Sequence, residues 1–408
     1  MNNIKKSATW LITEAVLYYA IFITHQLALV NKAGADLYGV TGSIFSYIYL
    51  VLALTIFGFE TLCAKSWQKY SQKIDTGVPR EIIGLCYGQI LFVSFALVLL
   101  YFLFNKILLL FAYGADLVNQ VKLFRVAIVT AIFSECIRKM FRNITLLNNQ
   151  AFRAAIIELV SLILYMVFVW GYYILGNRFT VKMIISPFVL LSIASCFSYG
   201  YFIINKNNFL TKPDFGKLST RLQGFIAVQT RGLISGNMLP TAIAVTFGFA
   251  ASSSIKIVSL VINGIFSLAE RFSYLILGRL RQGQSLSYLA KYTNKILFAI
   301  WVVGLLVFLA YYNFFPSSSK HTIPWLTVFS YILLTTVELF AYPYEKIALT
   351  NGHELQVTSL FLLSAFSLFV ILKSSFQPKY AVLTYSLCRS FLLIFFVLYA
   401  RHATKKIK

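Results

Sequence analysis

Long apolar stretches separated by short polar loops run from Ala8 to Ala400, and twelve of them reach the length of a bilayer-crossing helix. A hydrocarbon core about 30 Å thick takes roughly 20 apolar residues at the helical rise. The spans cover residues 8–30, 39–62, 82–108, 121–144, 154–175, 182–204, 223–246, 251–275, 293–313, 323–347, 355–373 and 379–401. Backbone polar groups inside a bilayer must be satisfied within their own segment, so each span is predicted as an α-helix. The pattern therefore predicts an all-α integral membrane protein. The most polar interruption near the middle, Asn205 to Arg221, divides the spans into two sets of six. This gives an N-terminal six-helix lobe at 1–205, a cytoplasmic linker at 206–222 and a C-terminal six-helix lobe at 223–408.

Composition agrees with the pattern: 59% of residues are hydrophobic and 12% are charged. A globular domain carries about a quarter charged residues, so water is not the solvent of this chain. The excess of 36 basic over 13 acidic residues, net +23, would suit nucleic acid only if it were gathered on one face of a soluble domain. Instead it lies in loops, which argues against a nucleic-acid partner. Sorted by the predicted spans, 23 Lys and Arg fall on one side, 7 on the other and 6 within the membrane. By the positive-inside rule the rich side is cytoplasmic. Both termini then lie inside, which requires an even number of crossings.

The first apolar stretch follows Lys5 and Lys6 but is too long for a signal peptide and lacks a small-residue cleavage pattern, so it is predicted as a retained first helix. Cys63, Cys86, Cys136, Cys196 and Cys388 show no metal-type spacing and are expected as free thiols. No loop exceeds about twenty residues and no phosphate-binding glycine motif is present, so nucleotide-driven chemistry is not expected. Superposing the halves at an offset of 209 aligns Tyr38-Gly39 with Phe247-Gly248 and Ile56-Phe57 with Ile265-Phe266. This sparse repeat would be parallel, with its axis along the membrane normal and a central cavity between the lobes.

Ionisable side chains deep in a bilayer are costly and mark protein interiors or watery cavities. The deepest are Arg389 in span twelve, Glu135 in span four, Arg231 in span seven and Glu338 in span ten, with Glu14 one to two turns inside span one. Glu14, Tyr18 and His25 share a helical face beside Gln26. Glu14 is read either as a site for a coupling H⁺ or Na⁺ or as a carboxylate satisfied by a neighbouring helix. Arg231 lies among Gly224, Gly232, Gly236 and Pro240, a helix that packs closely and bends. A guanidinium there suits a diphosphate, against the alternative of a structural pair with a Glu. Arg389 has no counter-ion in its own span, leaving Glu338 or Glu135 as candidate partners. Glu135, Arg138, Lys139 and Arg142 form one stripe in span four, read chiefly as inner-leaflet anchoring and secondarily as a seat for an anionic headgroup.

The two sets of six spans, the short turn Gly34-Ala35-Asp36-Leu37-Tyr38-Gly39 and its echo Phe247-Gly248 resemble the multidrug/oligosaccharidyl-lipid/polysaccharide exporter superfamily, and within it the bacterial lipid-linked oligosaccharide flippases. The resemblance implies a transporter, not an enzyme. It would sit in the bacterial inner membrane and carry undecaprenyl-diphosphate-linked glycan outward by alternating access. No cofactor is implied beyond a coupling ion; membrane lipid and other polysaccharide assembly proteins are candidate partners. With the resemblance, Arg231, Lys256, Arg389 and His25 become the expected substrate-binding set, and Glu14, Glu135 and Glu338 the expected ion-coupling set. A multidrug-type exporter is the second reading, although it would favour acidic cavity residues. A membrane glycan polymerase or ligase is third, and the short outer loops weigh against it.

Overall fold

The computed structural model describes residues 2–56, 80–110, 123–147, 150–176, 178–206, 325–350, 354–374 and 377–405, together with the isolated residues 59, 239, 243, 246, 247, 298, 301, 302, 305 and 306. Predicted spans seven, eight and nine lie almost entirely outside these, as do Cys63 and residues 207–222 of the expected linker. The chain forms two compact units, Met1–Leu233 and Ile234–Lys408.

In the first unit the described residues form α1 (Asn2–Ala33), α2 (Ala35–Ile56), α3 (Arg80–Leu110), α4 (Arg125–Leu147), α5 (Ala151–Ile174) and α6 (Val181–Lys206). The second unit contains α7 (Trp325–Thr350), α8 (Glu354–Lys373) and α9 (Pro378–Lys405). Five stretches among the described residues are long and apolar enough to cross a membrane: Thr13–Ala33, Ile82–Leu99, Ala151–Ile174, Val181–Ile203 and Pro378–His402. The chain is a multi-pass, all-helical membrane protein.

Burial along α5 shows what a bilayer does to an amphipathic helix. Its inward face holds Ala154, Ala155, Glu158, Leu162, Tyr165 and Val169, whereas Phe152, Ile156, Val160, Ile163, Val167 and Phe168 are exposed. The one carboxylate faces in and the large apolar side chains face out. In water this arrangement would expose a hydrophobic surface; in hydrocarbon it keeps the charge away from lipid.

At the centre of the first unit, α4 packs against α2, α3, α5 and α6, while α1 lies on α5 and α2. Gly200 lets α6 approach α4 closely, because a Cβ at that position would stand 3.3 Å from the Phe141 ring. The hydroxyls of Thr145 and Ser134 bond to carbonyls one turn back in their own helix, whereas Ser195 on α6 bonds both the Leu191 carbonyl and the Ser161 hydroxyl of α5. In the second unit α9 packs on both α7 and α8. Cys86, Cys136, Cys196 and Cys388 are free thiols.

The connection between α1 and α2 is shorter than its sequence suggests. The pattern predicts a loop between residues 30 and 39, yet α2 begins at Ala35 and Gly34 alone makes the turn at φ 84°. Asp36 and Gly39, which read as turn residues, lie in the first turns of α2. The Gly34 amide donates to Val30 O at 3.1 Å and its carbonyl accepts from Tyr38 N at 3.1 Å, so the elbow continues both hydrogen-bond ladders. No atom lies within 4 Å of where a Gly34 Cβ would stand, so the demand for glycine comes from the backbone and not from crowding. Replacing Gly34 by Ala is expected to cost about 1–2 kcal/mol of stability through left-handed strain alone, measured as the shift of the unfolding midpoint in detergent.

Candidate functional site

The densest group of charges among the described residues lies inside the first unit, where α1, α4, α5 and α6 meet. Helical spacing on α4 places Glu135, Arg138 and Arg142 on one face, at i, i+3 and i+7. Arg138 forks onto Glu135, with Nε donating to Oε1 at 3.0 Å and Nη2 to Oε2 at 2.6 Å. Its remaining arm, Nη1, donates to Glu158 Oε2 on α5 at 2.5 Å. Ser192 on α6 donates to Glu135 Oε1 as well. Glu158 Oε1 accepts from Tyr199 of α6 at 3.0 Å and lies 3.5 Å from Arg142 Nε. One guanidinium thus ties α4 to α5, while two hydroxyls tie α6 to the same pair of carboxylates.

This geometry corrects the reading of the α4 stripe as inner-leaflet anchoring. Arg138 and Arg142 are only 15% and 19% exposed and point into the bundle. Their counter-charges come from neighbouring helices and not from lipid headgroups. Glu158, which the sequence reading did not single out, completes the cluster. Its signal was present, since it is the sole carboxylate of the span at 154–175.

The expected ion-coupling residues take different positions. Glu135 is buried and held by Arg138 and Ser192. Glu14, only 1% exposed, reaches Arg142 Nη2 at 3.8 Å, an ion-pair distance but not a hydrogen bond. Glu338 on α7 lies in the second unit, paired to Arg389 of α9 at 2.5 Å. Of the two candidate partners for Arg389, Glu338 is therefore the one it contacts. Arg389 is 3% exposed and also donates through Nη1 to Tyr385 Oη at 2.9 Å. A guanidinium held in this way is not displayed to an incoming anion.

His25, also 1% exposed, accepts a 2.9 Å hydrogen bond at Nδ1 from Trp170 Nε1 of α5 and lies edge-on to the Tyr165 ring at 5.3 Å. With Nδ1 accepting, the neutral ring carries its proton on Nε2, so the side chain is a directed donor and not a cation. Nε2 and the Tyr165 hydroxyl are both buried without a hydrogen-bond partner. Arg231 and Lys256 lie outside the described residues. The structure thus gathers Glu14 and Glu135 into one cluster, places His25 elsewhere in the same unit, and seats Glu338 and Arg389 as a pair in the other.

No family model matches the chain, and no curated protein matches it. Solved structures do. A crystal structure of a eukaryotic MATE transporter superposes with a TM-score of 0.70 at 13% identity, covering 100% of this chain and 98% of that one. A MOP superfamily transporter from Pyrococcus furiosus, described as having a binding pocket of reversed polarity that suggests a different function, gives 0.71 at 15% identity, covering 98% and 96%. The outward-facing form of a multidrug resistance MATE transporter gives 0.68 at 12% identity, covering 99% and 97%. At these identities the similarity establishes the fold: an all-α membrane architecture with twelve helices in two six-helix bundles. That is the fold of the MATE transporters of the MOP superfamily.

The charge cluster yields a stability expectation. Replacing Glu158 by Ala leaves Arg138 with one carboxylate and Tyr199 with the Ala154 carbonyl as its remaining acceptor, a change expected to cost about 3–5 kcal/mol because a buried charge loses one of its partners. Replacing Arg138 and Glu158 together is expected to cost less than the sum of the two single changes, as read from unfolding midpoints in a double-mutant cycle.

Proposed function

We propose that the chain is a membrane transporter that moves a lipid-diphosphate-linked oligosaccharide from the inner to the outer leaflet of a bacterial inner membrane, by alternating access and with both termini cytoplasmic. The fold supports transport, because the structures it resembles are described as transporters, in both inward-facing and outward-facing forms. The observation that carries the anionic substrate is the state of the buried acids. Glu135, Glu158 and Glu338 each contact a guanidinium, and Glu14 lies beside Arg142. A cationic drug would find these four carboxylates already beside arginines, and the chain as a whole has 36 basic residues to 13 acidic ones. In this reading Arg231 and Lys256 hold the diphosphate and the polyprenyl tail remains in lipid. Glu14, buried 3.8 Å from the Arg142 guanidinium, takes the coupling H⁺ or Na⁺.

A multidrug-type exporter is the second reading, favoured by the description of similar structures as multidrug resistance transporters. The two separate in a cell that lacks the gene. The first reading expects lipid-linked glycan to build up on the cytoplasmic face, with recovery on return of the wild-type chain but not of Arg231→Ala. Glu14→Gln is expected to abolish dependence of transport on the ion gradient while leaving the folded protein in the membrane. Increased sensitivity to cationic drugs without glycan build-up would favour the exporter, and full recovery by Arg231→Ala would remove that residue from the site.

A further inference from the structure

Arg142 of α4 stands between two carboxylates that belong to different helices. Its Nη2 lies 3.8 Å from Glu14 Oε2 on α1, and its Nε lies 3.5 Å from Glu158 Oε1 on α5. Glu14 is 1% exposed and Arg142 19%, so the contact is made inside the bundle. Glu158 is held in turn by Arg138 at Oε2 and by Tyr199 at Oε1, and Arg138 forks onto Glu135. Charges of opposite sign therefore alternate from Glu14 through Arg142, Glu158 and Arg138 to Glu135, and Glu14 is the end of this series on α1. Tyr18, one turn along the same face of α1, interacts electrostatically with Arg138, with Glu158 and with Tyr49 of α2. The charged and titratable groups that meet this face among the described residues thus come from α2, α4 and α5.

The function proposed above gives Glu14 a coupling ion, H⁺ or Na⁺, without choosing between them. Either ion adds the same positive charge beside the Arg142 guanidinium, so repulsion by that charge does not discriminate. The difference lies in ligation. A hard metal cation is held by several oxygen atoms, whereas a guanidinium offers N–H donors and no acceptor. Arg142 therefore fills one side of the Glu14 carboxylate with groups that a metal ion cannot use. The oxygens of Glu158 lie on the other side of Arg142 and are engaged by Arg138, Tyr199 and Arg142 itself. A metal ion shared by Glu14 and Glu158 would have to displace the guanidinium from between them. A proton needs no oxygen shell: it bonds to one Glu14 oxygen, the carboxylate becomes a neutral acid, and Arg142 keeps Glu158 as its counter-charge.

We propose that Arg142 is the specificity-determining residue of the ion site at Glu14 and makes that site selective for H⁺ over Na⁺. This inference rests on the reading of Glu14 as the ion-coupling residue and deepens it by naming the ion; the nature of the transported substrate does not enter. The step is transfer of one proton from the aqueous phase to a Glu14 carboxylate oxygen, with the charge on Arg142 unchanged.

The test uses the purified full-length chain in detergent, with protons and sodium as the two probes. Infrared difference spectra between alkaline and mildly acid buffer read the carbonyl band of a protonated carboxyl group. The unfolding midpoint in sodium against choline at equal ionic strength reads metal binding. Wild type is expected to gain an acid band that Glu14→Gln lacks, and to unfold at the same temperature in sodium and in choline. Arg142→Lys, which keeps a cation with donors only, is expected to behave as wild type. Arg142→Gln removes the charge and supplies an amide oxygen, so its midpoint is expected to rise in sodium, a rise lost when Glu14→Gln is added. Arg142→Asn is the second variant should the glutamine form fail to fold. A sodium-dependent midpoint in the wild type that Glu14→Gln abolishes overturns the proton selectivity and leaves Glu14 as the ion site. Folded Arg142→Gln or Arg142→Asn without a sodium response overturns the role of Arg142. Absence of both the Glu14 acid band and a sodium response in the wild type overturns Glu14 as the ion site and this inference with it, whereas the flippase reading is decided separately by glycan build-up in cells.

Discussion

A guanidinium inside a membrane protein must bring its counter-charges with it, and the contact of Arg138 with Glu135 and Glu158 is where this chain meets that demand. Each of the three groups alone would be costly at that depth. Together they saturate one another, with Ser192 and Tyr199 taking further lone pairs. Because the partners come from three helices, electrostatic neutrality and the packing of α4, α5 and α6 are the same condition. A polar hydrogen-bonded core of this kind contributes to specifying one arrangement of helices whose apolar faces would accept many. The Glu338–Arg389 contact between α7 and α9 applies the same rule in the second unit.

This constraint also orders the candidate site. Glu135, Glu158 and Glu338 hold arginines at hydrogen-bond distance, whereas Glu14 lies 3.8 Å from the Arg142 guanidinium. Among the described cations the division is similar, with Arg138 and Arg389 in tight pairs and Lys139 on an aromatic face.

Much of the architecture was legible in the hydropathy alone, because lipid imposes a length and a polarity on every crossing segment. The stripe at Glu135, Arg138, Lys139 and Arg142 followed from helical spacing, but its destination did not. Periodicity fixes which residues share a face; it says nothing of which neighbour that face meets. Glu158 was passed over for the same reason, since a lone acid gains its meaning only when α4 lies against α5. The Gly34 elbow was misjudged in length because Asp36 and Gly39 favour turns locally, while the actual bend needs one residue with positive φ. Glu338 could be named as a partner for Arg389 because few carboxylates were available so deep in the chain.

The charge on α4 also bears on how the chain is built. Arg125–Leu147 is not among the stretches apolar enough to cross a membrane by themselves, so during synthesis this helix gains little from leaving the insertion channel unaccompanied. Its neutralising neighbour on α5, Glu158, follows Arg138 by 20 residues, and the segment joining the two helices is only three residues long, 148–150. Nascent α4 and α5 would then enter lipid as a hairpin with the ion contact already made, and the order in which the ribosome releases these side chains becomes part of what makes a charged helix tolerable in oil.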